Sequence, residues 1–438
     1  MPAPGKTAAI AKALAITGRG ARKMRAEGRD GEAMDMAALA ELIQAQAAAI
    51  DLTAAEPVWQ IRANDNSLQQ VQDAVQQLSA HILELEYTLI PHGLHVVGKP
   101  YSEAQLVNML SAMAQSQQLG ERIVPIVADE ARTFGMEGMF RQLGIYSSEG
   151  QKYTPVDKDQ VMYYREDKSG QILEEGINEA GAFSSWISAA TSYSVNDVVM
   201  VPFYIFYSMF GMQRIGDLAW AAGDLRARGF LLGATAGRTT LNGEGLQHED
   251  GHSQIMAGLI PNCVSYDPTF AYELAVIIHD GLKRMVGNQE DVYYYITVMN
   301  ENYLHGGLSD AADKNAAENI LKGLYLLKEG AKKKHRVQLM GSGTILREVI
   351  AAADLLATDW DVGADLWSAP SLNELRRNGL DCERWNLLHP TEKPKESHVE
   401  MCFKDRSGPV IASTDYVKSF ADQIRGFMPK GKMMRALG

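Results

Sequence analysis

Val198-Val-Met-Val-Pro-Phe-Tyr-Ile-Phe206 is an unbroken apolar run, and Phe230-Leu-Leu-Gly233 is a second, shorter one. Between them Met212–Arg228 carries its apolar residues at helical spacing. An apolar run with no polar alternation reads as a strand buried on both faces, and the helix that follows would cover one of them. The same rhythm extends outward in both directions. Upstream, Arg122–Val127 reads as a short strand followed by a helix through Gln142, and residues 146–168, with Gly150 and Pro155, read as a long loop. Downstream, Cys263–Tyr266 and Val292–Val298 are strand candidates with a helix at Ala271–Met285 between them. Repeated β-then-α order predicts a parallel sheet covered by helices. The polar run Lys328–Lys334 reads as a linker. A second α/β unit follows, with strands at Arg336–Met340, Asp361–Trp367 and Val410–Ser413, and the chain is expected to stop at Gly438 just after a helix.

At 438 residues the chain has room for two or three domains. Its net charge of −12 argues against nucleic acid or an anionic membrane as the main partner. Cys263, Cys382 and Cys402 form neither a metal-type pair nor an even disulfide set, which fits a reducing cytoplasm. No uncharged apolar run is long enough to span a bilayer. The first 30 residues hold seven Lys or Arg against two acids. Lys6, Lys12 and Arg19 interrupt any secretory core, so this segment reads as a basic Ala-rich arm, with a mitochondrial-type presequence as the alternative. Residues 32–50 and 67–90 read as helices, the second carrying Val71, Val75, Leu78, Ile82 and Leu85 on one face and stopped by Pro91 and Gly93.

Two stretches concentrate groups that move protons. One is Gln171-Ile-Leu-Glu-Glu-Gly-Ile-Asn-Glu-Ala180, where Glu179 sits on a turn between apolar neighbours. The other is Arg238-Thr-Thr-Leu-Asn-Gly-Glu-Gly-Leu-Gln-His-Glu-Asp-Gly-His252. Taken alone, Glu179 is a solvated loop carboxylate or a helix cap. Phe203, Tyr204, Phe206, Tyr207 and Phe210 are a buried strand and the start of a helix. Asp129 and Glu130 follow a strand directly, where acids favour a helix N-terminus. His248 and His252 spell the H-E-x-x-H pattern of zinc peptidases, with Glu273 further on. That reading needs both histidines on one stable helix, and Gly243, Gly245 and Gly251 argue against it. His92 and His95 read as turn residues beside Pro91 and Gly93.

From about Gly120 to about Phe427 the chain resembles the thiamine-diphosphate-dependent, decarboxylating subunit of the pyruvate dehydrogenase complex, in its homodimeric bacterial form. The resemblance is carried by Val124–Gly138, Gly176-Ile-Asn-Glu179, Phe203–Asp217, the His248 run and Tyr293–Tyr303. It implies a transketolase-like α/β fold and decarboxylation of pyruvate with acetyl transfer to the lipoyl-bearing acyltransferase of the complex. Glu179 would be the carboxyl that activates the cofactor through its pyrimidine ring, from a dry site that raises its pKa. His248 would face the substrate. Phe210, Tyr207, Asp129 and Glu130 would line the cofactor pocket, and the loop at 146–168 would close over it. The family's diphosphate and Mg²⁺ signature, Gly-Asp-Gly after a strand, is unmatched; Gly28-Arg29-Asp30-Gly31 comes nearest, and Arg29 intrudes.

A second segment, Glu84-Leu-Glu-Tyr-Thr-Leu-Ile-Pro-His-Gly-Leu-His-Val-Val-Gly98, is similar to part of the large subunit of cobalt and magnesium chelatases, over about residues 50–117. The expected layout is a basic arm and helix (1–49), the chelatase-like segment (50–117), a pyrimidine-binding domain (118–326) and a truncated transketolase C-terminal-like domain (327–438). Three functions follow from it. The chain decarboxylates pyruvate, as a homodimer or beside a chain that supplies the diphosphate domain. It is a non-catalytic subunit or remnant. Or it is a chelatase-related binding module.

Overall fold

The computed structural model describes residues 102–115, 119–128, 131, 134–154, 164–241, 244–299, 303 and 305–438. The basic arm, the two N-terminal helices, His92, His95, most of the chelatase-like segment, Asp129 and Glu130 lie outside the described residues, as does much of the 146–168 loop.

Two sheets organise the described chain. The first has six parallel strands in the order β4-β1-β5-β6-β8-β7. They are β1 (Ile123–Val127), β4 (Leu173–Glu174), β5 (Val201–Phe206), β6 (Phe230–Gly233), β7 (Cys263–Tyr266) and β8 (Tyr293–Thr297). Two further short strands, β2 (Ile145–Tyr146) and β3 (Glu166–Asp167), pair with each other at the ends of the long loop.

Alternate residues of β5 face opposite ways, and each face has its own cover. Tyr204 and Phe206 pack with Ala182, Phe183 and Trp186 of α2 (Glu179–Ala190) and with Met212, Ile215 and Ala219 of α3 (Ser208–Asp224). Phe203 and Ile205 join the opposite core, with α1 (Ser102–Ala114) and α5 (Ala271–Leu282), taking α4 as Ser253–Leu259. The Phe203 and Phe230 rings of adjacent strands stack at 4.6 Å. Gly211 lets α3 lie close on β5, since a Cβ there would sit 1.9 Å from the Phe206 ring.

The second sheet runs β13-β12-β10-β11-β9. Its strands are β9 (Tyr325–Lys328), β10 (His335–Gly341), β11 (Val362–Ser368), β12 (Val410–Ser413) and β13 (Met434–Leu437), all parallel except β9, which is antiparallel to β11. Its helices include α6 (Ile345–Asp359) and α7 (Leu372–Leu388).

Four expectations are corrected. The chain ends in a strand, β13, not after a helix; Met434 and Ala436 turn inward while Arg435 and Leu437 stay exposed. Lys328 belongs to β9, so the connection to β10 starts one residue later. Helix α3 starts at Ser208 and ends at Asp224, four residues ahead of its expected span at each end. Helix α5 ends at Leu282 and continues as a π-helical turn, Lys283–Gly287.

The two sheets meet across a polar seam. Asp267, after β7, is buried and accepts hydrogen bonds from Thr297 Oγ1 (2.7 Å), Ser342 Oγ (2.7 Å) and Tyr416 OH (3.4 Å). Burial pushes its carboxyl up to about 6. Glu273, fully buried at the start of α5, accepts from Thr269 N (2.5 Å), Phe270 N (3.0 Å), Tyr325 OH (2.7 Å) and Ser368 Oγ (2.6 Å). Burial raises its pKa too, and its four donors oppose the rise.

Candidate active site

Glu179 opens α2, directly after the edge strand β4 and a turn through Gly176, whose φ is +72°. Asn178 caps the helix: its Oδ1 accepts from Gly181 N at 3.1 Å. The preceding Glu175 is held by Ser185 Oγ at 2.5 Å and extends the β4–β1 pairing through its own N–H to Val127 O at 3.1 Å. Glu179 is therefore fixed at the carboxyl end of a parallel strand, where open α/β sheets place their ligands. Its side chain is 15% exposed, and its carboxylate pairs with the guanidinium of Arg214.

Arg214 joins Glu179 to the aromatic cluster. It lies one turn after Phe210 on α3, and its guanidinium sits 4.5 Å from the Phe210 ring centroid. Edge-on to that ring, at 5.0 Å, is the imidazole of His248. Tyr207 closes the group, 5.1 Å from His248, 6.1 Å from Phe210 and 5.2 Å from Phe134. Four of the residues expected from the sequence, Glu179, Tyr207, Phe210 and His248, thus come together. Arg214, whose pairing the sequence did not announce, is the cationic partner of Glu179 in this cluster.

His248 ends a short 3-10 turn, Leu246–His248. Its Nδ1 lies 2.8 Å from Glu244 O, and a carbonyl only accepts, so Nδ1 carries the proton and Nε2 is the basic nitrogen. His252 belongs to a different element, the N-cap of α4, with its N–H on Asp250 Oδ1 at 2.9 Å. Among the described residues no three His, Cys, Asp or Glu gather as a metal would require.

The loop bearing His248 hangs from the second domain. Asp415 accepts from Arg238 N (2.7 Å), Thr239 N (3.1 Å) and Thr239 Oγ1. Arg238 returns Nε to Asp415 O (2.7 Å) and a second guanidinium N–H to Tyr416 O (3.1 Å), and Val417 N donates to Gly251 O (3.0 Å). At the loop's far end, buried Asp250 takes Ser253 N at 2.9 Å and the Ser253 hydroxyl, which in turn accepts from Tyr295 OH at 2.8 Å. Sequence reasoning missed Arg214, Arg238, Asp250 and Asp415. Arg214 alone left a local signal, four residues after Phe210.

Comparison with known proteins adds the family. The family model for the pyruvate dehydrogenase E1 component middle domain matches residues 98–306. The one for the transketolase-like C-terminal domain matches 323–437. A pyruvate dehydrogenase E1 component from Pseudomonas aeruginosa is 67% identical over 333 residues, which is 76% of this chain and 37% of that protein. One from Escherichia coli K12 is 59% identical over 324 residues, 74% of this chain and 36% of that one. The chain thus spans little more than a third of the length of the curated relatives it matches. Among solved structures, a transketolase from Leishmania mexicana superposes with a TM-score of 0.52 at 14% identity, over 88% of this chain and 47% of that one, a likeness of fold. The chain belongs to the pyruvate dehydrogenase E1 component family, carrying that family's middle domain ahead of a transketolase-like C-terminal domain.

Proposed function

We propose that this chain supplies the pyrimidine half of a thiamine diphosphate site and, in the cytoplasm, takes part in decarboxylating pyruvate and passing the acetyl group to a lipoyl-bearing acyltransferase. The carrying observation is the Glu179–Arg214–Phe210–His248 cluster at the carboxyl edge of a parallel sheet. A half-buried carboxylate beside an aromatic ring and a basic imidazole suits a flat, hydrogen-bonding heterocycle. Thiamine diphosphate supplies, when bound, a nucleophilic carbon and an electron sink for a 2-keto acid.

The rest is done by the chain's own groups. Glu179 would leave Arg214 and hold a proton toward the ring nitrogen of the heterocycle. Phe210 and Tyr207 would hold that heterocycle and exclude water. His248 Nε2 holds or moves a proton on the substrate side, its tautomer set by Glu244 O. By the family resemblance, Asp129 and Glu130 would line the same pocket; both lie outside the described residues. The diphosphate and Mg²⁺ would be held by a second chain or another domain, in a homodimer or a pair of unlike chains.

Calorimetry tests this. Thiamine diphosphate with Mg²⁺ is titrated into the purified chain, alone and mixed with a polypeptide carrying a Gly-Asp-Gly diphosphate domain. Heat and pyruvate turnover in the mixture, both lost in Glu179→Ala, are expected. No heat in either titration would favour a non-catalytic subunit.

A further inference from the structure

Tyr204 carries a polar group that nothing in the fold yet uses. Its side chain is fully buried on β5, and among the described residues its hydroxyl has no hydrogen-bond partner. The neighbouring buried tyrosines are all satisfied: Tyr293 OH donates to Ala219 O (2.9 Å), Tyr294 to Asp280 (2.7 Å), Tyr295 to Ser253 (2.8 Å) and Tyr266 to Leu321 O (2.9 Å). Burying a lone hydroxyl costs stability that phenylalanine would spare, and phenylalanine stands nearby on the same strand at 203 and 206.

The position of the ring says what the hydroxyl is for. It packs edge-on to Phe183 (6.3 Å, 68°) and against Phe206 (4.9 Å). Phe183 lies four residues after Glu179, so both project from one face of α2. Tyr204 thus lies beneath the first turn of the helix that presents Glu179. Burial raises its pKa, and the charges of Glu179 and then Glu175 raise it further. Glu175 is already taken by Ser185, and Glu179 by Arg214.

We propose that Tyr204 is a positioning residue for Glu179: when the carboxylate turns from Arg214 toward the heterocycle, the Tyr204 hydroxyl donates to it, directly or through one water, and fixes its orientation. This rests on the pyrimidine-site reading given above. A carboxyl that must hand a proton to a ring nitrogen needs a defined direction. A neutral phenol supplies it without adding charge.

The test begins without cofactor, on the intact chain labelled at tyrosine Cζ, with the Tyr204 resonance assigned by its loss in Tyr204→Phe. Arg214→Gln frees the carboxylate and is expected to shift the Tyr204 resonance in the direction of hydrogen-bond donation and to slow hydroxyl exchange. Adding Glu179→Ala should abolish both changes. A resonance that stays put across the three proteins overturns the proposal. In the reconstituted mixture, Tyr204→Phe should move the pH profile of kcat and leave KM for pyruvate where it was; an unmoved profile overturns it equally. Failure of the pyrimidine reading registers separately, as absent heat on thiamine diphosphate addition.

Discussion

Asn178 and Glu179 are neighbours with separable duties. Asn178 satisfies an orphan N–H at the start of α2. Asn178→Ala should cost about 1 kcal/mol of stability, read as a lower urea midpoint at constant slope. Glu179 offers a carboxylate to the site, and in the reconstituted mixture Glu179→Gln should lower pyruvate turnover by roughly 10²- to 10⁴-fold while the urea midpoint moves little. Equal loss of stability in the two variants would mean that Glu179 is structural. This position was legible from the sequence because the turn and its flanks are long and specific. Its partner was not: Glu179 and Arg214 lie 35 residues apart, on different helices. Only the packing of α2 beside α3 brings them together.

At the scale of elements, the strands read well where the run is mostly apolar. Phe230–Gly233, Cys263–Tyr266 and Val410–Ser413 stand where the sequence put them. Helix α3 was misplaced because its start carries no signal: Tyr207 is in extended conformation with no side-chain cap, and the aromatic run passes straight through it. Strand β13 was missed because only two of its four residues are buried. The His248 loop could be read as chemistry but not as architecture, since its anchors sit 176–178 residues away. Asp415→Ala strips the Arg238 and Thr239 backbone N–H groups of their acceptor. Both donors are partly exposed, so each lost hydrogen bond costs about 1 kcal/mol and a loss of roughly 2 kcal/mol is expected. Limited proteolysis should then cut within 238–252 first; cleavage elsewhere would count against the anchoring role.

Across the whole molecule, the seam between the sheets makes stability depend on pH. Asp267 has a native value of about 6 against an ordinary 3.8. Between those values the native state holds a proton that the unfolded chain has released, so stability falls as pH rises through the window and levels off above it. The size is on the order of 3 kcal/mol. Glu273 is raised by burial as well and contributes in the same direction. Urea midpoints measured across this window should decline with pH in the native chain and decline less in Asp267→Asn; identical slopes would remove Asp267 as the cause. Neither acid could be recognised as buried from its surroundings in the sequence. Each needs donors from both domains: the Thr297 and Ser342 hydroxyls for Asp267, and the Thr269 N–H with the Ser368 hydroxyl for Glu273.

The stitches from Arg238 and Thr239 to Asp415 also order events in time. A ribosome makes Asp415 177 residues after Arg238. At bacterial and eukaryotic synthesis speeds that is a wait of roughly 10–35 s. Until then the His248 loop lacks its stitches to the second domain, however well the first sheet has already folded. The loop that bears His248 therefore settles only after this part of the second domain has been made.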